Sequence, residues 1–269
     1  MEFYDATGAA VVLPAPPRRI VSLIPSITEI LFALGAGPAL AGCTIFCTEP
    51  ALGVAAKTRV GGEKNPKLDV IRELGADLVI ANVEENVREH VMALRGWGIP
   101  VYVTYPRTVA QGIRLVGELG LVVGCAERGR EMAVALEAAL DDVRGRVAGK
   151  APGRVFYPIW RNPWMTINRD TYAHDMLAVC GGENVFGHLE TRYPEVTLGD
   201  IDRAAPDVIL LPDEPYRFRR AHQADFDAYP AIPAVRHGRI HLIDGKLATW
   251  YGPRIAQALR EMPRLIAGA

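Results

Sequence analysis

The chain has 269 residues, 49% of them apolar and 23% charged, with a formal net charge of −1. Such a composition suits a globular protein that buries a core, in one large domain or two modest ones. Near-neutral charge gives no electrostatic ground for a nucleic-acid partner. No run approaches the roughly 18 apolar residues of a membrane helix.

Residues 3–13 read as a short hairpin turning at Asp5-Ala6-Thr7-Gly8. The start lacks the pattern of an export signal, because Glu2 and Asp5 precede a short apolar stretch that Pro14, Pro16 and Pro17 stop. The expectation is a cytoplasmic chain, or one whose signal lies outside this sequence. Arg19-Ile-Val-Ser-Leu23 reads as a strand, followed by a helix that Ser26 caps, with Glu29 three residues on as a capping box. Gly35 and Gly37 end that helix.

Residues 68–74 read as helix, 77–81 as an apolar strand, 87–97 as helix and 99–103 as strand. Strands alternating with helices of about ten residues predict a parallel sheet flanked by helices. Residues 126–147 form one long amphipathic stretch, with Met132, Leu136, Ala139, Leu140 and Val143 at helical spacing. At about 1.5 Å per residue this helix reaches about 33 Å. Lys150-Ala-Pro-Gly153 breaks it.

An internal repeat supports two similar lobes. Leu68-Asp-Val-Ile71 leading to Asp77-Leu-Val-Ile80 matches Leu198-Gly-Asp-Ile201 leading to Asp207-Val-Ile-Leu210. The predicted organisation is an α/β lobe over residues 1–122, a connecting helix over 123–150 and a second α/β lobe over 151–269, each lobe with a mostly parallel sheet.

Ligands of open α/β sheets bind beyond the carboxyl ends of the strands. With two lobes, those ends can face each other across a cleft, and five segments are predicted there. Thr44-Ile-Phe46-Cys-Thr-Glu49-Pro50 and Asn82-Val-Glu-Glu-Asn86 lie in the first lobe. Trp160-Arg-Asn-Pro-Trp164, Asp213-Glu-Pro-Tyr216-Arg-Phe218 and Trp250-Tyr251-Gly252 lie in the second, with Tyr193 nearby. Three loop tryptophans suit a large flat ligand. A loop tryptophan standing alone more often covers its own core.

Catalytic motifs do not emerge. Gly61-Gly-Glu-Lys64 lacks P-loop spacing and there is no Gly-x-Ser-x-Gly elbow. His237 and His241 read as lying on one strand, about 13 Å apart, too far to share a metal. Cys43, Cys47, Cys125 and Cys180 allow three pairings, but Cys43-x3-Cys47 is not zinc-knuckle spacing. Buried free thiols are expected, with no metal site.

These motifs resemble a known family. Pro17-Arg-Arg-Ile-Val-Ser-Leu-Ile-Pro-Ser-Ile-Thr-Glu29, Leu74-Gly-Ala-Asp-Leu-Val-Ile80, Val179-Cys-Gly-Gly-Glu-Asn-Val-Phe186 and Pro253-Arg-Ile255 look like class III periplasmic binding proteins, the helical-backbone metal receptors. The likeness spans nearly the whole chain and is greatest to the vitamin B12-binding branch. It implies a monomeric non-enzyme, without an intrinsic cofactor, that binds a corrinoid, haem or ferric siderophore and hands it to an ABC importer permease. It implies a periplasmic or envelope location.

By position, the resemblance makes Asp69 the permease-docking acid of the first lobe. Gly199 occupies the matching position of the second, with Asp200 one residue later, about 100° further round a helix. Tyr193 falls where that branch places an aromatic against the corrin. Loops and resemblance together give the candidate ligand set Phe46, Glu49, Asn82, Trp160, Trp164, Tyr193, Tyr216, Trp250 and Tyr251, with Phe46 and Glu49 standing where the family usually has tyrosines. The alternatives are a cytoplasmic corrinoid or metallocofactor enzyme or chaperone on the same scaffold, or a siderophore or haem receptor. An anionic chelate would call on Arg161, Arg217 or Arg219.

Overall fold

The computed structural model describes residues 1–267 and separates into two compact units. Unit 1 comprises residues 1–106, 111–135 and 251–253. Unit 2 comprises 107–110, 136–250 and the described residues from 254 onward.

Unit 1 opens with an antiparallel hairpin of β1 (Glu2–Tyr4) and β2 (Ala10–Val12). Asp5 makes the turn. Its buried carboxylate accepts from the Thr7 and Ala9 N–H groups, the Thr7 hydroxyl, the Arg95 guanidinium and the Val103 N–H. The chain then runs through β3 (Ile20–Ser22), α1 (Pro25–Ala33), β4 (Leu40–Cys43), α2 (Ala51–Ala55), β5 (Thr58–Arg59), α3 (Leu68–Glu73), β6 (Leu78–Asn82), α4 (Arg88–Gly96) and β7 (Val101–Thr104). These strands pair in parallel in the order β5-β4-β3-β6-β7. Every residue of β6 is buried, as a parallel strand covered on both faces requires. Ile71, Leu94, Val79 and Val103 pack into one core there.

Helix α5 (Val109–Val122) leads into α6 (Ala126–Val147), which carries the chain from unit 1 into unit 2. The two meet at paired glycines. A Cβ on Gly120 would lie 2.8 Å from the Gly129 Cα, and one on Gly129 would lie 2.9 Å from the Gly120 Cα.

Unit 2 contains β8 (Gly153–Phe156), β9 (Trp164–Met165), α7 (Tyr172–Val179), β10 (Gly182–Asn184), β11 (Glu195–Val196), α8 (Leu198–Ala204), β12 (Val208–Pro212), α9 (Pro233–Arg236), β13 (Ile240–Ile243), α10 (Lys246–Thr249) and α11 (Arg254–Ala267). Its four-stranded sheet is parallel, in the order β10-β8-β12-β13. β9 and β11 form a short antiparallel ribbon outside it.

The sequence repeat corresponds to the same brace built twice. In unit 1, Asp77 accepts from the N–H groups of Arg18 and Arg19 at 2.8 and 2.9 Å, and Arg19 Nε donates to the Gly75 carbonyl at 2.8 Å. In unit 2, Asp207 accepts from the Arg154 N–H at 3.0 Å, and Arg154 Nη2 donates to the Ala204 carbonyl at 2.7 Å. Each aspartate thus ties the start of one strand to the turn before its neighbour. Gly75 and Ala205 occupy the same left-handed turn position, at φ 60° and 45°.

Several local expectations are corrected. Ser26 does not cap α1: Pro25 is the first helical residue and Ile24 the N-cap, with no side-chain cap bond. The fixed φ of proline starts the helix two residues early and carries Ser26 into its buried face. His237 and His241 do not share a strand, because His237 caps α9 and only His241 lies on β13. Residues 109–122, whose helical spacing is masked by glycines, form α5.

Candidate ligand-binding surfaces

In unit 1, β4 and β6 lie on either side of β3, and the loops beyond their carboxyl ends carry the candidate residues. Phe46 is 55% exposed at the tip of the first loop, and Glu49 is half-buried behind it. The Phe46 ring lies against Gly62, where an added Cβ would come within 3.4 Å. The second loop is organised from within. Asn82 is buried, takes the N–H of Glu84 on its side-chain oxygen at 2.8 Å, and donates to the Thr104 hydroxyl. Its own N–H goes to the Asn86 side chain. Asn82 therefore shapes the loop and does not project from it. Burial raises the Glu85 carboxyl above its usual range, opposed by the Lys64 charge.

In unit 2, β8 and β12 are neighbours, so the loops that follow them emerge side by side. Trp160, 44% exposed, stands edge-on to Tyr216 with ring centroids 5.4 Å apart. Tyr216 rests in turn on Phe218 at 4.8 Å, and Phe218 stacks on Trp164 at 5.6 Å and 17°. An unbroken series of rings thus runs from solvent to the core. Tyr193 is 39% exposed with the Arg192 guanidinium 5.7 Å from its ring centre. Two residues after Tyr193, β11 pairs with β9 at Met165, which also bridges to Trp160.

Charged groups fix this face. Arg161 makes a two-point ion pair with Asp225, at 2.6 and 2.8 Å, which raises its pKa further above the usual guanidinium range. The guanidinium assigned to an anionic chelate is therefore already engaged, whereas Arg217 and Arg219 are exposed. His222 accepts the Arg219 N–H on Nδ1 and packs its ring against Tyr216 and Phe218.

The remaining candidates are buried. Trp164 is 8% exposed and packs among Phe156, Phe218 and Phe226, so it belongs to the core. Trp250 is also buried, its indole donating to Glu214, with Lys246 and Arg254 each 5.5 Å from its ring centre. Burial raises the Glu214 carboxyl even so. Tyr251 is buried within unit 1, beside Gly252, whose missing side chain leaves room for Ile30. Composition cannot distinguish a loop tryptophan that faces water from one that turns inward.

The two docking acids differ. The Asp69 side chain is 75% exposed in the first turn of α3, in an i,i+3 pair with Arg72. Asp200 accepts the Thr197 N–H and hydroxyl in a capping box at the start of α8 and pairs with Arg203. The Thr197 bonds hold its carboxyl below the usual range.

Among the described residues no cluster of three potential metal ligands occurs and no helix is long and apolar enough to cross a membrane.

The chain is 27% identical over 263 residues to a vitamin B12-binding protein of Vibrio cholerae, covering 97% of this chain and 93% of the relative. It is 26% identical to an uncharacterised ABC transporter substrate-binding lipoprotein of Bacillus subtilis, covering 97% and 84%. In three dimensions it matches the periplasmic vitamin B12 binding protein of Vibrio cholerae with a TM-score of 0.83, at 24% identity over 94% of this chain and 97% of that one. A periplasmic haem-binding protein of Roseiflexus matches with a TM-score of 0.82, at 25% identity over 93% and 97%. The model of the family described as periplasmic binding protein matches residues 20–247. The chain therefore belongs to the periplasmic binding protein family, as a substrate-binding protein of ABC importers and not an enzyme.

Proposed function

We propose that this protein binds a corrinoid, or a metal chelate of similar size and flatness, and delivers it to an ABC permease at the cell envelope. The observation that carries the proposal is the exposed Trp160 standing on Tyr216 beyond the adjoining ends of β8 and β12. Rings seated on other rings present a rigid, largely apolar surface at little entropic cost, which suits a macrocycle. Tyr193 extends that surface on unit 2, and Phe46 offers an exposed aromatic on unit 1. The vitamin B12-binding name of the Vibrio cholerae relatives supports the corrinoid, and the haem-binding neighbour makes haem the rival. The engagement of Arg161 by Asp225 weighs against an anionic siderophore.

Calorimetric titration with cyanocobalamin, cobinamide, haemin and a ferric siderophore tests this. Micromolar or tighter binding is expected for a corrinoid. Trp160→Ala and Tyr193→Ala should each weaken it by about 10-fold, or about 1.4 kcal/mol, with melting temperatures nearly unchanged. Binding of haemin alone transfers the assignment to haem. Normal corrinoid binding by both variants removes the aromatic surface from the site.

A further inference from the structure

Cys43 ends β4, and Cys47 lies four residues on, beneath a turn closed by the Cys47 N–H bond to the Thr44 carbonyl at 3.2 Å. Both thiols are fully buried and both are free. The two side chains lie within hydrogen-bonding reach of each other. Around them the fold places polar groups. The hydroxyls of Thr28 and Thr44 lie 3.1 and 3.2 Å from Cys47 Sγ, and the Thr28 hydroxyl also donates to the Ile24 carbonyl at 3.0 Å. Arg59 Nη1 lies 3.2 Å from Cys43 Sγ and also donates to the carbonyls of Thr44 and Cys47, at 2.9 and 2.8 Å. Cysteines that merely fill a core sit among apolar atoms. Here a guanidinium lies beside Cys43 Sγ and two hydroxyls beside Cys47 Sγ, polar surroundings of the kind that tune a thiol.

We propose that Cys43 and Cys47 are a redox-active dithiol that closes to an intramolecular disulfide when it meets a hydroperoxide. The Cys43 thiol and the two threonines together lower Cys47 against the opposing effect of burial. The hydrogen bond between the two thiols raises Cys43. Cys47 is thus the nucleophile and Cys43 the resolving thiol.

The Cys47 thiolate attacks one peroxide oxygen. The O–O bond breaks, the other oxygen leaves as hydroxide, and Cys47 becomes a sulfenic acid. The Cys43 sulfur then bonds to Cys47 Sγ as the S–O bond breaks. The departing oxygen takes the Cys43 proton, and a solvent proton neutralises the hydroxide from the first step. Counting the proton that Cys47 first gave to solvent, two thiols and one hydrogen peroxide become one disulfide and two waters, with two electrons passing from sulfur to oxygen. A small dithiol returns those electrons.

Burial selects an oxidant of peroxide size; between the two cysteines, Ile45 and Phe46 are 54% and 55% exposed. Closing the disulfide ties down the turn that presents Phe46. That consequence for ligand binding rests on the proposed function; the sulfur chemistry does not.

The test uses the whole reduced chain, exposed to one equivalent of hydrogen peroxide and then digested with trypsin. Residues 20–57 contain no internal lysine or arginine before Lys57, so one peptide carries both cysteines. The expected result is that peptide lighter by two hydrogens, two of the four thiols lost, and both restored by dithiothreitol. The rate should rise with pH below about 8.5, where an ordinary thiol ionises, because Cys47 is lowered. Cys43→Ser should leave a sulfenic acid on Cys47 that a 1,3-dione probe labels, and Cys47→Ser should yield neither label nor disulfide. Retention of all four thiols, or oxidation of Cys125 or Cys180 ahead of this pair, overturns the proposal. The unaltered chain suffices for that outcome even if a serine variant fails to fold.

Discussion

Replacing Trp164 by Ala removes a ring that touches Phe156, Phe218 and Phe226 and leaves a cavity in the core of unit 2. Denaturant unfolding should show a loss of about 3–5 kcal/mol. The same change at the exposed Trp160 should cost no more than about 1 kcal/mol; equal losses at the two sites would refute this division of roles. Ala205 is a second informative residue. At φ 45° its Cβ crowds the backbone, whereas the matching turn of unit 1 has Gly75. Ala205→Gly should raise the unfolding midpoint at unchanged denaturant slope, by up to about 1 kcal/mol once the greater freedom of glycine in the unfolded chain is subtracted. A lower midpoint would show that the turn gains more from the alanine than it loses in strain.

At the scale of elements, the contact between α5 and α6 sets two known effects against each other. Glycine inside a helix costs about 1 kcal/mol relative to alanine, so Gly129→Ala would stabilise an isolated helix. Here the new methyl meets the Gly120 Cα at 2.9 Å and the Val116 carbonyl at 3.2 Å, backbone atoms that cannot turn aside. Overpacking of this kind costs about 1–3 kcal/mol, so net destabilisation is expected. A melting temperature above that of the parent chain would contradict it. These glycines also explain why one helix is legible in the sequence and its neighbour is not. Helix α6 is nearly uninterrupted, and its bounds follow from periodicity. In α5 the apolar spacing of Val109, Ile113, Val116 and Leu119 is broken by Gly112, Gly117 and Gly120, which read as breakers until a partner helix is known to approach. The parallel sheets were legible because buried strands are apolar throughout. The aromatic loops were legible only in composition, since the inward turn of Trp164 and Trp250 depends on Phe218 and Glu214 from other segments.

For the molecule as a whole, the open question is how a small, nearly neutral protein engages its permease. We propose Asp69 as the docking acid of unit 1, being exposed at the start of α3, and a monomer as the docking species. Asp69→Lys should abolish stimulation of the permease ATPase in proteoliposomes while leaving ligand affinity unchanged, and full stimulation would rule Asp69 out. The Asp200 carboxylate is held by the Thr197 N–H and hydroxyl as well as by Arg203.

The placement of residues 251–253 within unit 1 has a consequence for how the protein is made. Gly252 lies against Ile30, more than two hundred residues earlier, so close that a Cβ would fall 2.3 Å from the isoleucine side chain. A ribosome that has released residues 1–135 has released the sheet of unit 1 but not the segment that seals Ile30, a fully buried side chain in the finished protein. Until translation passes residue 253, unit 1 must wait with an apolar gap in its wall. A chain stopped at residue 250 would keep that gap and offer a holdase chaperone a place to bind.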